Sequence, residues 1–133
     1  MKRYLLDTGV AQDYVFRRGN VFATTKEHMR RGDRVGVCIP VAGELFAGME
    51  YSATRAKNYQ RLERELCDLI MWPYDLTAAR EFGRIYAELR RTGRTIQQVD
   101  IQIAAIALTL NCVLVTRDSD FAAVGGLTLE DWT

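Results

Sequence analysis

The sequence predicts an α/β layered fold built on a mostly parallel sheet, and three observations carry that expectation. Short apolar runs alternate with longer stretches of helical periodicity along the whole chain. The run Val113-Leu114-Val115 is apolar on both faces, as a strand covered above and below in a parallel sheet must be. That run and Tyr4-Leu5-Leu6 each deliver an acid soon after they end. In parallel sheets the strands' carboxyl ends open on the crevice where ligands bind, so Asp7 and Asp118 are expected on the rim of a site.

Taken in order, Arg3 to Leu6 reads as the first strand, ending at Asp7. Thr8-Gly9 turns the chain into a helix whose Val10, Tyr14 and Val15 recur at helical spacing, and Gly19-Asn20 breaks it. Val21 to Arg31 is a second amphipathic helix with Val21, Phe22 and Met29 inward, and Gly32-Asp33 leads into a second strand, Arg34 to Ile39. Pro40 suits the first turn of a helix, where its missing N–H costs nothing. Val41, Leu45, Met49 and Ala53 form that helix's apolar stripe, with Glu44 and Gly48 on another face. The pattern resumes through Tyr59, Leu62, Leu66 and Leu69, and this arm reads equally as one bent helix or two.

Ile70 to Tyr74 is a third strand that Pro73 confines to an edge. Asp75 or Thr77 can cap the helix through Ala79, Phe82, Ile85, Tyr86 and Leu89, which Gly93 ends. A polar connection reaches Asp100, which opens the most apolar helix, Ile101 to Leu108. Asn111 is a natural left-handed cap after it. Cys112 to Thr116 is then the fourth strand, and a short last strand falls around Leu127 to Leu129.

A chain of 133 residues without repeats or a linker is expected to form one domain over 1–133, large enough for a real core. Its 48% apolar and 26% charged residues are ordinary for a globular protein. The net charge of +1 neither requires nor excludes nucleic acid, because distribution decides. Cys38, Cys67 and Cys112 show no CxxC or Cys/His spacing for zinc and read as buried free thiols of a reducing compartment. The apolar run at the N-terminus is too short for a signal peptide or a span, so a cytoplasmic location is expected. Neither GxxxxGK[ST] nor GxGxxG occurs, which counts against nucleotide binding in the usual loops.

The acids suggest a chemistry. Asp7 and Asp118 share the carboxyl edge, and Glu44 interrupts the small apolar stretch Pro40 to Leu45 near the start of a helix that begins there. Periodicity leaves the position of Asp100 open. Taken alone, each acid has a structural reading as a cap or turn residue. Taken together they would repel, each raising its neighbours' pKa, and no Lys or His stands beside all of them. A hard divalent cation held by oxygen ligands resolves that conflict, and Mg²⁺ or Mn²⁺ suits a partly open carboxylate site. Metal-assisted phosphodiester hydrolysis is the reaction class that follows.

At these residues the chain resembles the PIN-domain ribonucleases, in particular the VapC-like toxins of bacterial toxin–antitoxin pairs. The resemblance rests on Tyr4-Leu5-Leu6-Asp7-Thr8, Ala42-Gly43-Glu44-Leu45, Asp100-Ile101-Gln102-Ile103-Ala104-Ala105 and Leu114 through Phe121, with the ending Gly126 to Trp132 also similar. It implies a PIN-like three-layer fold, a mostly parallel sheet between helices, with an acidic Mg²⁺ or Mn²⁺ site that cuts RNA endonucleolytically. The family's metal-binding and catalytic acids correspond to Asp7, Glu44, Asp100 and Asp118, and its neighbouring polar residue to Thr116. Asp120 is a further candidate ligand, exchangeable with Asp118. The resemblance also implies a homodimer and a VapB-like antitoxin whose tail enters the site. One position departs: Gly9 stands where the family commonly has Asn, which removes an amide able to bond a ligand or a water.

Other features are weighed beside these. Arg117 adjoins the acids and is the best candidate for RNA contact. Arg90, Arg91 and Arg94, and Arg30, Arg31 and Arg34, fit phosphate contact but equally fit solvated helix ends. His28 has no evident serine or cysteine partner for catalysis, and Trp72 and Tyr74 read as packing residues. Gly9 motivates an alternative, a catalytically weak PIN-like module that binds protein or RNA. A phosphotransfer site with Asp7 as nucleophile would want a second acid where Gly9 stands and a lysine later in the chain, and none follows Lys57.

Overall fold

At the centre of the sheet lies β1 (Arg3–Leu6), because its Tyr4, Leu5 and Leu6 are all buried and have no polar face to give to water. The computed structural model describes all 133 residues. β2 (Arg34–Cys38), β3 (Ile70–Trp72), β4 (Val113–Val115) and β5 (Leu129–Glu130) complete an all-parallel sheet in the order β3-β2-β1-β4-β5. β1 pairs with β2 from Arg3↔Arg34 and with β4 through Leu6↔Val115. Gly36 is required where β2 meets β3: a Cβ there would lie 2.0 Å from the Ile70 carbonyl oxygen. β3 is an edge strand, as Pro73 dictates.

Six helices flank the sheet: α1 (Thr8–Phe16), α2 (Val21–Arg30), α3 (Ile39–Glu50), α4 (Arg55–Leu66), α5 (Leu76–Arg91) and α6 (Gln98–Thr109). α3 packs on α1, α4 and α6, and α5 lies along α6. α6 is the helix without a polar face, its Ile101 and Ile103 through Ala107 all buried. Asp75 caps α5 by accepting the Ala78 N–H at 3.0 Å, and Asn111 takes the left-handed turn after α6 at φ 54°.

Several boundaries move, each for a local reason. β2 ends at Cys38 rather than Ile39, since Ile39 precedes Pro40 within the first turn of α3 and is exposed. The long arm is two helices, with a turn at 51–54 where Ser52 Oγ accepts the Thr54 N–H. α6 starts two residues before Asp100. The last strand is Leu129–Glu130, because Thr128 and Glu130 supply the carbonyls that the Leu114 and Thr116 N–H groups need. Cys38 and Cys112 are buried, but Cys67 is exposed at the end of α4 and corrects the expectation for that thiol. No helix is long and apolar enough to cross a membrane.

Candidate active site

From β1 the chain winds outward to β2 and β3, then crosses to β4 on the opposite flank. The strand order therefore reverses between β1 and β4, and their carboxyl ends form the switch-point crevice of an open α/β sheet. Asp7 stands one residue past Leu6, and its N–H donates to the Val115 carbonyl at 3.0 Å, holding the two strand ends together. Its extended backbone makes it the N-cap of α1, with Oδ1 accepting the Thr8 N–H at 2.6 Å.

Thr116 links the two aspartates of the rim. Its buried hydroxyl donates to Asp7 Oδ2 at 2.7 Å and accepts the Asp118 N–H at 3.0 Å. A hydroxyl has one proton, so these partners fix its orientation completely. Asp118 Oδ1 in turn accepts the Asp120 N–H at 2.9 Å, capping a 3₁₀ turn over Ser119–Ala123. Glu44, in the second turn of α3, is reached from α1: Thr8 Oγ1 donates to its Oε1 at 2.5 Å.

Asp100 sits in the first turn of α6 with its carboxyl half-buried. Burial pushes its pKa up to about 6, and the charges of Asp7, Asp118, Glu44 and Asp120 add to the shift. Asp100 thus senses all the other acids, the coupling expected if they share one site. They do not close into a cage: no three Asp, Glu, His or Cys side chains are grouped to hold a metal ion. Beside them a cleft of about 260 Å³ is lined by Asp7, Gly9, Val10, Arg117 and Asp118. Arg117 Nη1 pairs with Asp13 Oδ2 of α1 at 2.5 Å.

The other candidates lie elsewhere. His28 pairs through Nδ1 with Asp33 Oδ2 at 2.9 Å and stacks on Trp132 at 4.7 Å, a structural role. Arg30 and Arg31 are tied to Glu27, and Arg90 donates to the Tyr86 hydroxyl. Trp72 is buried and donates its indole N–H to the Tyr4 carbonyl at 3.1 Å. Two contacts of the site lie outside the sequence-based expectations, Thr8 to Glu44 and Asp13 to Arg117. The pairing of Asp7-Thr8 was the visible signal for the first; nothing local announces the second, which spans 104 residues.

A family profile for the PIN domain matches residues 4–127. The chain is 30% identical to the tRNA(fMet)-specific endonuclease VapC of Shigella flexneri, with 100% of both chains covered. It is 33% identical to ribonuclease VapC2 of Haemophilus influenzae, covering 99% of each. Its fold matches the DNA-bound VapBC structure from Salmonella typhimurium with a TM-score of 0.91 at 27% identity, over 100% of both chains. The acids at the switch point therefore belong to a chain that is a member of the PIN-domain family, of its VapC-like branch.

Proposed function

We propose that this chain is an endoribonuclease toxin that hydrolyses RNA phosphodiester bonds at the β1–β4 switch point, within a single PIN domain over residues 1–133. The observation that carries the reading is the arrangement of acids at the carboxyl ends of β1 and β4. The Thr116 hydroxyl joins Asp7 to Asp118, Thr8 ties Glu44 to the same edge, and Asp100, raised first by burial, also feels the charges of all three. The curated relatives named as VapC ribonucleases support the same activity.

An all-oxygen donor set suits Mg²⁺ or Mn²⁺, and the absence of a closed carboxylate cage is compatible with either. Mg²⁺ is typically held by one or two carboxylates and keeps several waters. Asp7, Glu44, Asp100 and Asp118 would hold it, with Asp120 and Thr116 at the margin. Bound there, the metal would lower the pKa of a water and offset charge on the phosphodiester. The chain's own residues prepare the site. Thr8 and Thr116 fix both oxygens of Asp7 and one of Glu44, so these carboxylates need not reorganise. Asp100 has no such partner and holds a proton at pH values below about 6, so neutral pH favours the charged, ligating form. Arg117, on the cleft wall, is the residue we assign to RNA contact.

Solved structures similar to this chain include VapBC complexes, which supports a VapB-like antitoxin as partner; a homodimer and a cytoplasmic location belong to the same proposal. The test is cleavage of a broad RNA panel by purified protein with Mg²⁺ or Mn²⁺, alongside Asp7→Asn and Asp100→Asn. Equal activity in wild type and variants would overturn the reading. The alternative, a weak binding module, predicts tight association with the antitoxin and no metal-dependent cleavage in any of them.

A further inference from the structure

Arg117 is the one cation among the residues that line the acidic cleft, and its placement depends on two residues of α1. Asp13, whose side chain is largely buried, accepts from Nη1. No other hydrogen bond engages the guanidinium, so Nε and Nη2 keep their donors free. Gly9 supplies the space. A Cβ at that position would lie 3.3 Å from Arg117 Nη2, so the guanidinium would have to give by a few tenths of an ångström. The backbone itself does not ask for glycine there: Gly9 is inside α1, and the positive-φ glycines are Gly19, Gly32, Gly93 and Gly126. Inside a helix, glycine costs stability relative to alanine. Gly43 and Gly83, also within helices, face nothing within 4 Å, so close approach by a charged side chain distinguishes Gly9.

We infer that Arg117 is an RNA-phosphate anchor preset by Asp13 and Gly9, which act as positioning residues. The inference rests on the ribonuclease reading and deepens it. An acidic cleft repels a polyanion, and an untethered guanidinium there would pair with Asp7 or Asp118 and quench the charges the site needs. Asp13 holds Arg117 away from that pairing, and the missing Cβ of Gly9 leaves room for Nη2 beside α1. A planar fork held in place loses little entropy when it meets a phosphate.

The test uses the full chain and a fluorescein-labelled mixed-sequence single-stranded RNA, with binding followed by anisotropy in EDTA across salt and cleavage kinetics in Mn²⁺. Arg117→Ala is expected to weaken binding roughly tenfold, the size of one charge-assisted contact. The slope of log affinity against log salt should become shallower by about 0.7, one phosphate on a single strand. Asp13→Ala and Gly9→Asn should each raise KM more than they lower kcat, and neither should weaken binding further in the Arg117→Ala background. Arg117→Lys, which cannot fork, should recover only part of the loss. Additive losses in the double variants, or an unchanged salt slope in Arg117→Ala, would overturn the positioning while leaving the ribonuclease reading intact. A wild type that neither binds nor cleaves any RNA would overturn both.

Discussion

The two ends of β1 treat their charges in opposite ways. At the amino edge Asp33 accepts the Lys2 N–H and pairs with His28, and the His28 bond lowers its pKa. The Trp132 indole stacks on His28 and tilts against Tyr4 at 5.1 Å. At the carboxyl edge Asp100 is half-buried with like charges around it, and burial first, those charges second, push its pKa up to about 6. A satisfied acid contributes stability; a crowded one costs it, and a chain keeps such a cost where the charge does something else. The amino edge therefore holds satisfied charges, and the carboxyl edge, where we propose the catalytic site, holds crowded ones.

The largest effect that would break this division is on cleavage. Asp7→Asn or Asp100→Asn should lower RNA cleavage by roughly a thousandfold, the scale of losing a principal electrostatic group. Asp33→Asn, an equally conservative change at the other end, should leave kcat/KM within about twofold. Comparable losses at both ends would show that the carboxyl edge has no special role. The next largest effect reverses the roles. Trp132→Ala removes a buried indole and should cost about 3 kcal/mol in urea unfolding, while the variant still cleaves RNA at a temperature where it is folded.

The sharpest test is the pH dependence of stability in EDTA. The folded-state pKa of Asp100 lies above its unfolded value, so the folded chain binds the extra proton between about pH 4 and 6. Its penalty is fully present above pH 6 and is relieved as pH falls toward 4. Asp33 behaves oppositely: its pKa is lowered, so its contribution is present above about pH 4 and is lost on further acidification. Asp100→Asn should accordingly stabilise the metal-free protein at pH 7 by roughly 1–2 kcal/mol, a figure reduced for solvent screening. That gain should shrink toward zero at pH 4. A variant less stable than wild type at pH 7 would mean that Asp100 is held by partners rather than crowded by charge.

The same contrast explains what could be read from the residues. Apolar runs that stop at an acid, Leu5-Leu6-Asp7 and Leu114 to Asp118, located the rim because strand polarity alone decides it. Asp100 was left unplaced by periodicity, yet helix length could have placed it. α6 runs into the amino end of β4, and its 12 residues rise about 18 Å, enough to carry its own start back to the carboxyl edge. The pairing of Asp13 with Arg117 was out of reach, since a contact across 104 residues depends on how α1 seats against β4. The last strand overlaps its expected range at Leu129 but starts two residues later and ends one later, because so short a strand is set by its partner's free N–H groups, not by its own pattern.

The smallest predicted effect concerns single hydroxyls. Thr116 and Thr25 are both buried, but the Thr116 hydroxyl joins Asp7 to the Asp118 N–H, whereas Thr25 Oγ1 has no partner. Thr116→Val keeps the shape and orphans both partners, so it should cost about 1 kcal/mol of stability and lower cleavage roughly tenfold. Thr25→Val removes a hydroxyl that bonds nothing and should be neutral or stabilising by a few tenths of a kcal/mol in urea unfolding, with cleavage unchanged. Similar responses from the two would mean that the Thr116 hydroxyl only fills space. The orientation of Asp7 and the cap at Asp118 would then have to come from the backbone alone, through the Thr8 and Asp120 N–H groups.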